Sequence, residues 1–182
     1  MASTNNKIRK LSIQSIQGFD KEIGILISQL EYVREMTYGL VEKLSMDALD
    51  YRLNNQFNSI GTILFHVAAL EYSSIIKFVL KRPLTAEEYH HYFYGLTGNL
   101  IHNQMKEKTI DFYLQELEIA RKLTYAKLSE LKDPWLSIKD KQLENTYDVN
   151  NYFYLRHIAD DELSHQGQIK WIISSYKKTS NN

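Results

Sequence analysis

The sequence predicts an all-α protein folded as a four-helix bundle, and three observations carry that prediction. Its 182 residues contain only two prolines and seven glycines, too few for the many turns of an all-β fold. Four long segments repeat apolar residues at the alternating three-and-four spacing of one helix face. Each such segment must cover that face, and mutual packing of all four is the simplest way to do so.

The first segment runs from about Phe19 to Leu44, with Phe19, Ile23, Leu26, Leu30, Val33, Thr37, Leu40, Val41 and Leu44 in one stripe. The second runs from about Ser59 to Lys81 on the stripe Ile60, Ile63, Leu64, Val67, Leu70, Ser74 and Phe78. Asn58 or Ser59 is its expected N-cap, and Pro83 stops it. The third, Thr109 to Leu131, carries Ile110, Tyr113, Leu114, Leu117, Ala120, Thr124, Leu128 and Leu131, and Asp133-Pro134 closes it. The fourth, Asn150 to Lys177, puts Leu155, Ile158, Ile169, Ile172, Ile173 and Tyr176 on one side.

Connection lengths bear on topology. About 27 residues, Arg82 to Lys108, separate the second and third segments, enough to cross a helix of ~30 Å and leave the two parallel. Thr85-Ala86-Glu87-Glu88 within it has capping-box spacing and predicts a short extra helix. The loop of about 14 residues between the first two segments fits antiparallel neighbours.

Lys plus Arg and Asp plus Glu are 22 each. A balanced chain lacks the broad positive field of a non-specific nucleic-acid binder. There is no cysteine, which excludes disulfides, thiolate metal sites and a cysteine nucleophile. Charges and polar residues interrupt every apolar pair before Glu22, so there is no signal-peptide core. The run Ile63–Leu70 is far short of the ~20 residues of a spanning helix. One soluble, cytoplasmic domain over residues 1–182 is expected, with frayed polar ends at 1–7 and 177–182. There is no phosphate loop, nucleophile elbow or dinucleotide fingerprint.

Polar chemistry concentrates in the fourth segment, in His157-Ile-Ala-Asp-Asp-Glu-Leu-Ser-His165-Gln-Gly-Gln168. At 100° per residue, Asp161, Glu162 and His165 fall on the side of Ile158, Ile169 and Ile172. Polar groups facing a core are costly unless paired or metal-bound. Asp161/His165 and His157/Asp161 are each one turn apart, and Glu162/His165 has the Glu-x-x-His spacing of di-iron bundles. Spacing leaves these three pairs in contest. His157 and His165 are ~12 Å apart along the axis and cannot share an ion. A third ligand must come from another helix, and His66, beside the second stripe, is the candidate. Two imidazoles with one carboxylate suit zinc, nickel, iron or manganese and leave coordination positions open for water or substrate.

The order Ser59-Ile60-Gly61, His66-Val67-Ala68 and Glu71, then His165-Gln166-Gly167-Gln168-Ile169 late in the chain, resembles the DinB/YfiT-like superfamily over nearly the whole length. The resemblance implies a four-helix bundle with a long crossover between the second and third helices. It also implies a divalent metal on three side chains, commonly histidines, which map to His66, position 161 and His165. Here position 161 is aspartate, and position 166 is Gln where arginine is frequent.

Two function classes follow. One is a metal-dependent transferase, isomerase or hydrolase acting on a small molecule. The resemblance extends it to enzymes using a low-molecular-weight thiol such as mycothiol or bacillithiol, with Glu162 as an outer partner or proton acceptor. The other is a non-catalytic bundle with a vestigial or structural metal site, acting in protein interaction. A di-iron carboxylate protein ranks third, for want of a second Glu-x-x-His on a bundle helix. Thirteen tyrosines together with the resemblance predict a homodimer. Tyr89-His90-His91-Tyr92-Phe93-Tyr94 is expected to cap the bundle end or a dimer contact, or else to line the pocket mouth. Gly167 is expected to permit a close helix contact beside the site, and His102 is assigned no role.

Overall fold

The computed structural model describes residues 12–97, 104–140 and 147–180. The four expected segments are helical: α1 Lys21–Val41, α3 Ile60–Ser74 continuing as a π-turn Ile75–Val79, α5 Ile110–Leu128, and α6 Asn151–Ser180. Shorter elements join them: α2 Met46–Asp50, α4 Ala86–Leu96 and a 3₁₀ turn Asp133–Ser137. No strand occurs among the described residues, only one isolated bridge between Lys139 and Asn150.

Caps account for several starts. Ser59 accepts the Thr62 N–H at 3.2 Å. Thr85 and Glu88 form the reciprocal capping box, which starts α4 where the spacing predicted a short helix. The first turn of α1 is capped from far away: the Asp133 carboxylate accepts the Glu22 and Ile23 N–H groups at 3.0 and 3.1 Å. That bond ties the 3₁₀ turn to the start of α1 and offsets unpaired N–H groups there.

The stripes bury as their spacing requires, into two apolar clusters. One holds Val41, Ile60, Ile63, Leu64, Leu117 and Ile169 with their neighbours. The other holds Ile23, Leu26, Leu30, Ile75, Leu128 and Ile158 with theirs. Contacts between α3 and α5 step in the same sense along both helices. Gly61 lies so close to the Tyr113 hydroxyl that a Cβ would collide with it, while Glu71 meets Arg121 and Thr124. Residues 98–103 of the long connection, with His102, and tail residues 1–7 lie outside the described residues.

Three expectations change. Helix α6 continues to Ser180 rather than fraying at Lys177. The stretch Ile60–Val79 is long and apolar enough to cross a membrane, although most of it is buried inside the protein; His66 and Glu71 break it into shorter uninterrupted apolar runs in the sequence. Gly167 makes no close helix contact: it is exposed, and a Cβ there would meet nothing within 4 Å. Gly167→Ala is therefore expected to raise stability by roughly 0.5–1 kcal/mol, measured by urea unfolding. A loss of stability would mean that the backbone needs glycine there.

Candidate metal centre

His66 projects from the middle of α3, and Asp161 and His165 from adjacent turns of α6. All three are partly buried, and their donor atoms lie within 4.8 Å of one another. Asp161 Oδ2 is 3.7 Å from His66 Nε2 and 3.5 Å from His165 Nε2. The two rings meet edge to face with centroids 5.1 Å apart. Asp161 Oδ2 is shielded from water and makes no hydrogen bond.

A backbone contact orients His66. Its Nδ1 lies 2.7 Å from the Gly95 carbonyl oxygen. A carbonyl only accepts, so Nδ1 carries a proton, and Nε2 is the ring nitrogen that faces Asp161. Gly95 can reach this position because it lacks a Cβ; one built there would lie 2.6 Å from the Ala69 Cβ and 2.8 Å from the Phe65 carbonyl oxygen. Burial pushes the His165 pKa below its ordinary value; Asp161 opposes the shift and His66 adds to it. The ring is thus neutral at neutral pH, as a ligand must be. The donor set fits a divalent cation: two imidazole nitrogens converge on a carboxylate oxygen that has no hydrogen-bond partner.

Glu162 turns the other way. It is 1 % exposed, and its oxygens accept from Arg34 Nε at 2.8 Å, Arg34 Nη2 at 3.1 Å and the Thr37 hydroxyl at 2.7 Å. Arg34 also donates to Glu71 at 2.8 Å and to the Leu117 carbonyl at 2.9 Å. Arg121 and Thr124 reach Glu71 at 2.7 and 2.8 Å. A layer of charge contributed by α1, α3, α5 and α6 therefore separates the two apolar clusters. Burial alone would raise the Glu71 pKa, but Arg121 and Arg34, with the Thr124 hydroxyl, hold it at about 2.

His157 is exposed and stacks on Phe153, away from the cluster. In α4, His91 Nε2 lies 2.9 Å from Glu116, and Glu88 is held by Arg82 and Tyr72. The segment Tyr89–Tyr94 thus packs α4 on α3 and α5, and Gly95, the next residue of the same helix, meets the cluster through its carbonyl.

The sequence profile of the DinB family matches residues 21–175. The chain belongs to the DinB family. Among curated proteins no match was found. The matched span runs from the start of α1 into the last turns of α6 and contains every residue of the cluster. In this DinB-family bundle, two contributors escaped the sequence reading: the Gly95 carbonyl and the charged layer. The layer did leave a signal. Arg34, Glu71, Arg121 and Glu162 each follow a buried stripe residue, Leu30, Val67, Leu117 and Ile158, by one helical turn.

Gly95→Ala is expected to push α4 off α3, break the bond to His66 and weaken metal binding by about 10–100-fold, the usual cost of losing a partner behind a ligand. Titration of the variant with zinc checks this. Unchanged affinity would show that the carbonyl does not orient the ring.

Proposed function

We propose that the protein is a divalent-metal-dependent enzyme acting on a small molecule, with His66, Asp161 and His165 as the metal ligands. The observation that carries this reading is Asp161 Oδ2, hidden from water without a hydrogen bond and faced by the Nε2 atoms of two histidines on different helices. Membership of the DinB family supports it. Three protein ligands leave a position open, which is the arrangement of catalytic rather than structural sites. Zinc, nickel, iron and manganese all suit this donor set.

When bound, such an ion lowers the pKa of a water or thiol seated on it and acts as a Lewis acid. The chain's own residues do the rest. The Gly95 carbonyl holds His66 in the ligating tautomer. Burial keeps His165 neutral. Glu162, engaged by Arg34 and Thr37, acts as a positioning residue that fixes the rotation of α6 and so the direction of Asp161. With no cysteine in the chain, a thiol nucleophile would be supplied from outside, as a low-molecular-weight thiol seated at the open position, which would make the protein a thiol-dependent S-transferase.

Elemental analysis of protein purified without an affinity tag tests the reading. One equivalent of a transition metal is expected, with a rapidly exchanging water detected by proton relaxation after manganese substitution. Folded protein that takes up neither zinc, nickel nor manganese would instead favour a non-catalytic bundle.

A further inference from the structure

A cavity of about 840 Å³ opens beside the π-turn, walled by Leu70, Ser73, Ile76, Phe78, Leu84 and Ile138. None of His66, Asp161 and His165 lines it, so it is distinct from the metal cluster. Its size is that of pockets that enclose a drug-sized molecule. Its walls are largely apolar, and Ile138 is 55 % exposed at the rim, surface that an apolar occupant would take out of water.

The backbone departs from regular geometry at this place. Ile75–Val79 is wound as a π-turn, with the Leu80 N–H donating to the Ile75 carbonyl at 3.0 Å. Such turns are frequent at functional sites. Directly after it, Lys81 has φ +53°, the left-handed conformation in which helices commonly end, and the Arg82 N–H closes the turn on the Ile76 carbonyl at 3.4 Å. Ile76, Lys77, Phe78 and Lys81 all border the cavity.

The charges at its edge are unbalanced. Four cationic residues and one carboxylate, Asp140, border the cavity. Arg82 is paired with Glu88 at 2.7 Å and Lys139 with Asp148 at 2.8 Å. Asp140 accepts the Tyr154 hydroxyl at 2.8 Å. Among the described residues, no ion pair joins Lys77 or Lys81 to a carboxylate. The Lys77 ammonium lies 5.0 Å above the Phe78 ring, at the junction of apolar wall and positive rim.

We propose that this cavity binds a small amphipathic anion, its apolar body against Leu70, Leu84 and Ile138 and its anionic headgroup between Lys77 and Lys81. The class is that of organic acids with one anionic end and an alkyl or aryl body. The site is independent of the metal reading and does not require a metal to be bound.

Calorimetric titration of the full-length protein with decanoate, decanol and acetate tests this. Decanoate is expected to bind saturably with one equivalent, decanol at least about tenfold more weakly, and acetate not measurably. Lys77→Met/Lys81→Met should weaken decanoate about tenfold, and raised salt should weaken the wild type alone. Ser73→Trp, which fills the cavity, should abolish binding. His66→Ala should leave it unchanged. Both lysines are exposed, so the double variant keeps its fold and stays informative should Ser73→Trp not fold. Equal binding of decanol and decanoate, unaltered decanoate binding by the double variant, or loss of binding in His66→Ala would each overturn the proposal. The last would place the carboxylate on the metal instead.

Discussion

Glu71→Gln is expected to destabilise the fold by roughly 3–5 kcal/mol, because it removes the carboxylate that pairs with both Arg34 and Arg121 and leaves Glu162 alone opposite two buried guanidinium groups. In a domain of this size, such a loss lowers the melting temperature by roughly 6–20 °C. Glu71 is fully buried and bridges Arg34 on α1 and Arg121 on α5. Urea unfolding of the wild type and the variant measures the difference. A change below about 1 kcal/mol, the value of an exposed pair, would show that the layer is not what holds the four helices together.

The same residue sets the acid limb of stability. Its pKa falls from an ordinary 4.5 to about 2 on folding, so between those values the unfolded chain binds more protons. The contribution of Glu71 is therefore fully present above about pH 5 and lost as pH falls through 4.5 toward 2. Its size is on the order of 3 kcal/mol. Glu71→Gln should flatten this limb. A wild type equally stable at pH 3 and pH 7 would contradict the assignment.

The second large effect is on metal binding. His66→Ala and His165→Ala are each expected to weaken zinc binding by on the order of 100-fold or more, beyond the loss that removing an outer partner brings. Asp161→Ala should lose somewhat less and His157→Ala almost nothing, because His157 lies on the exposed side of α6 against Phe153. Zinc competition titrations give the four constants. Protons compete with the metal for its ligands, so affinity should fall on acidification, and burial moves the share of that fall due to His165 toward lower pH. Metal lost in His157→Ala but kept in His165→Ala would place the site one turn or more away from the cluster.

The stripes are legible in the sequence because each helix buries one continuous face; Ile23, Leu26, Leu30 and Val33 all lie inside. Asp161 and His165 are legible for a related reason, as they share one helix and their spacing alone brings them together. Glu162 marks the limit of that reading. Spacing could not separate the pair 161/165 from the pair 162/165, since adjacent residues differ by only 100° around the axis. The partners on α1 decide it, for Arg34 and Thr37 draw Glu162 inward and leave Asp161 at the rim. The role of Gly95 had no local signal at all, because it depends on how closely α4 approaches Phe65 and Ala69. The π-turn was equally hidden, since Ile75-Ile76-Lys77-Phe78-Val79 continues the composition of α3.

The charged layer also acts as a ruler. Helices packed only through apolar stripes can slide past one another by a turn, ~5.4 Å, while exchanging one leucine or isoleucine contact for another. Here such a slip would carry Arg34, Glu71, Arg121 or Glu162 into an apolar cluster without its partner, a penalty several times thermal energy. Glu71 stands five residues from His66 on α3, and Glu162 is the neighbour of Asp161 on α6. Locking those two carboxylates onto Arg34 therefore sets the height of α3 against α6, and with it the distance at which the histidine of one helix meets the aspartate and histidine of the other.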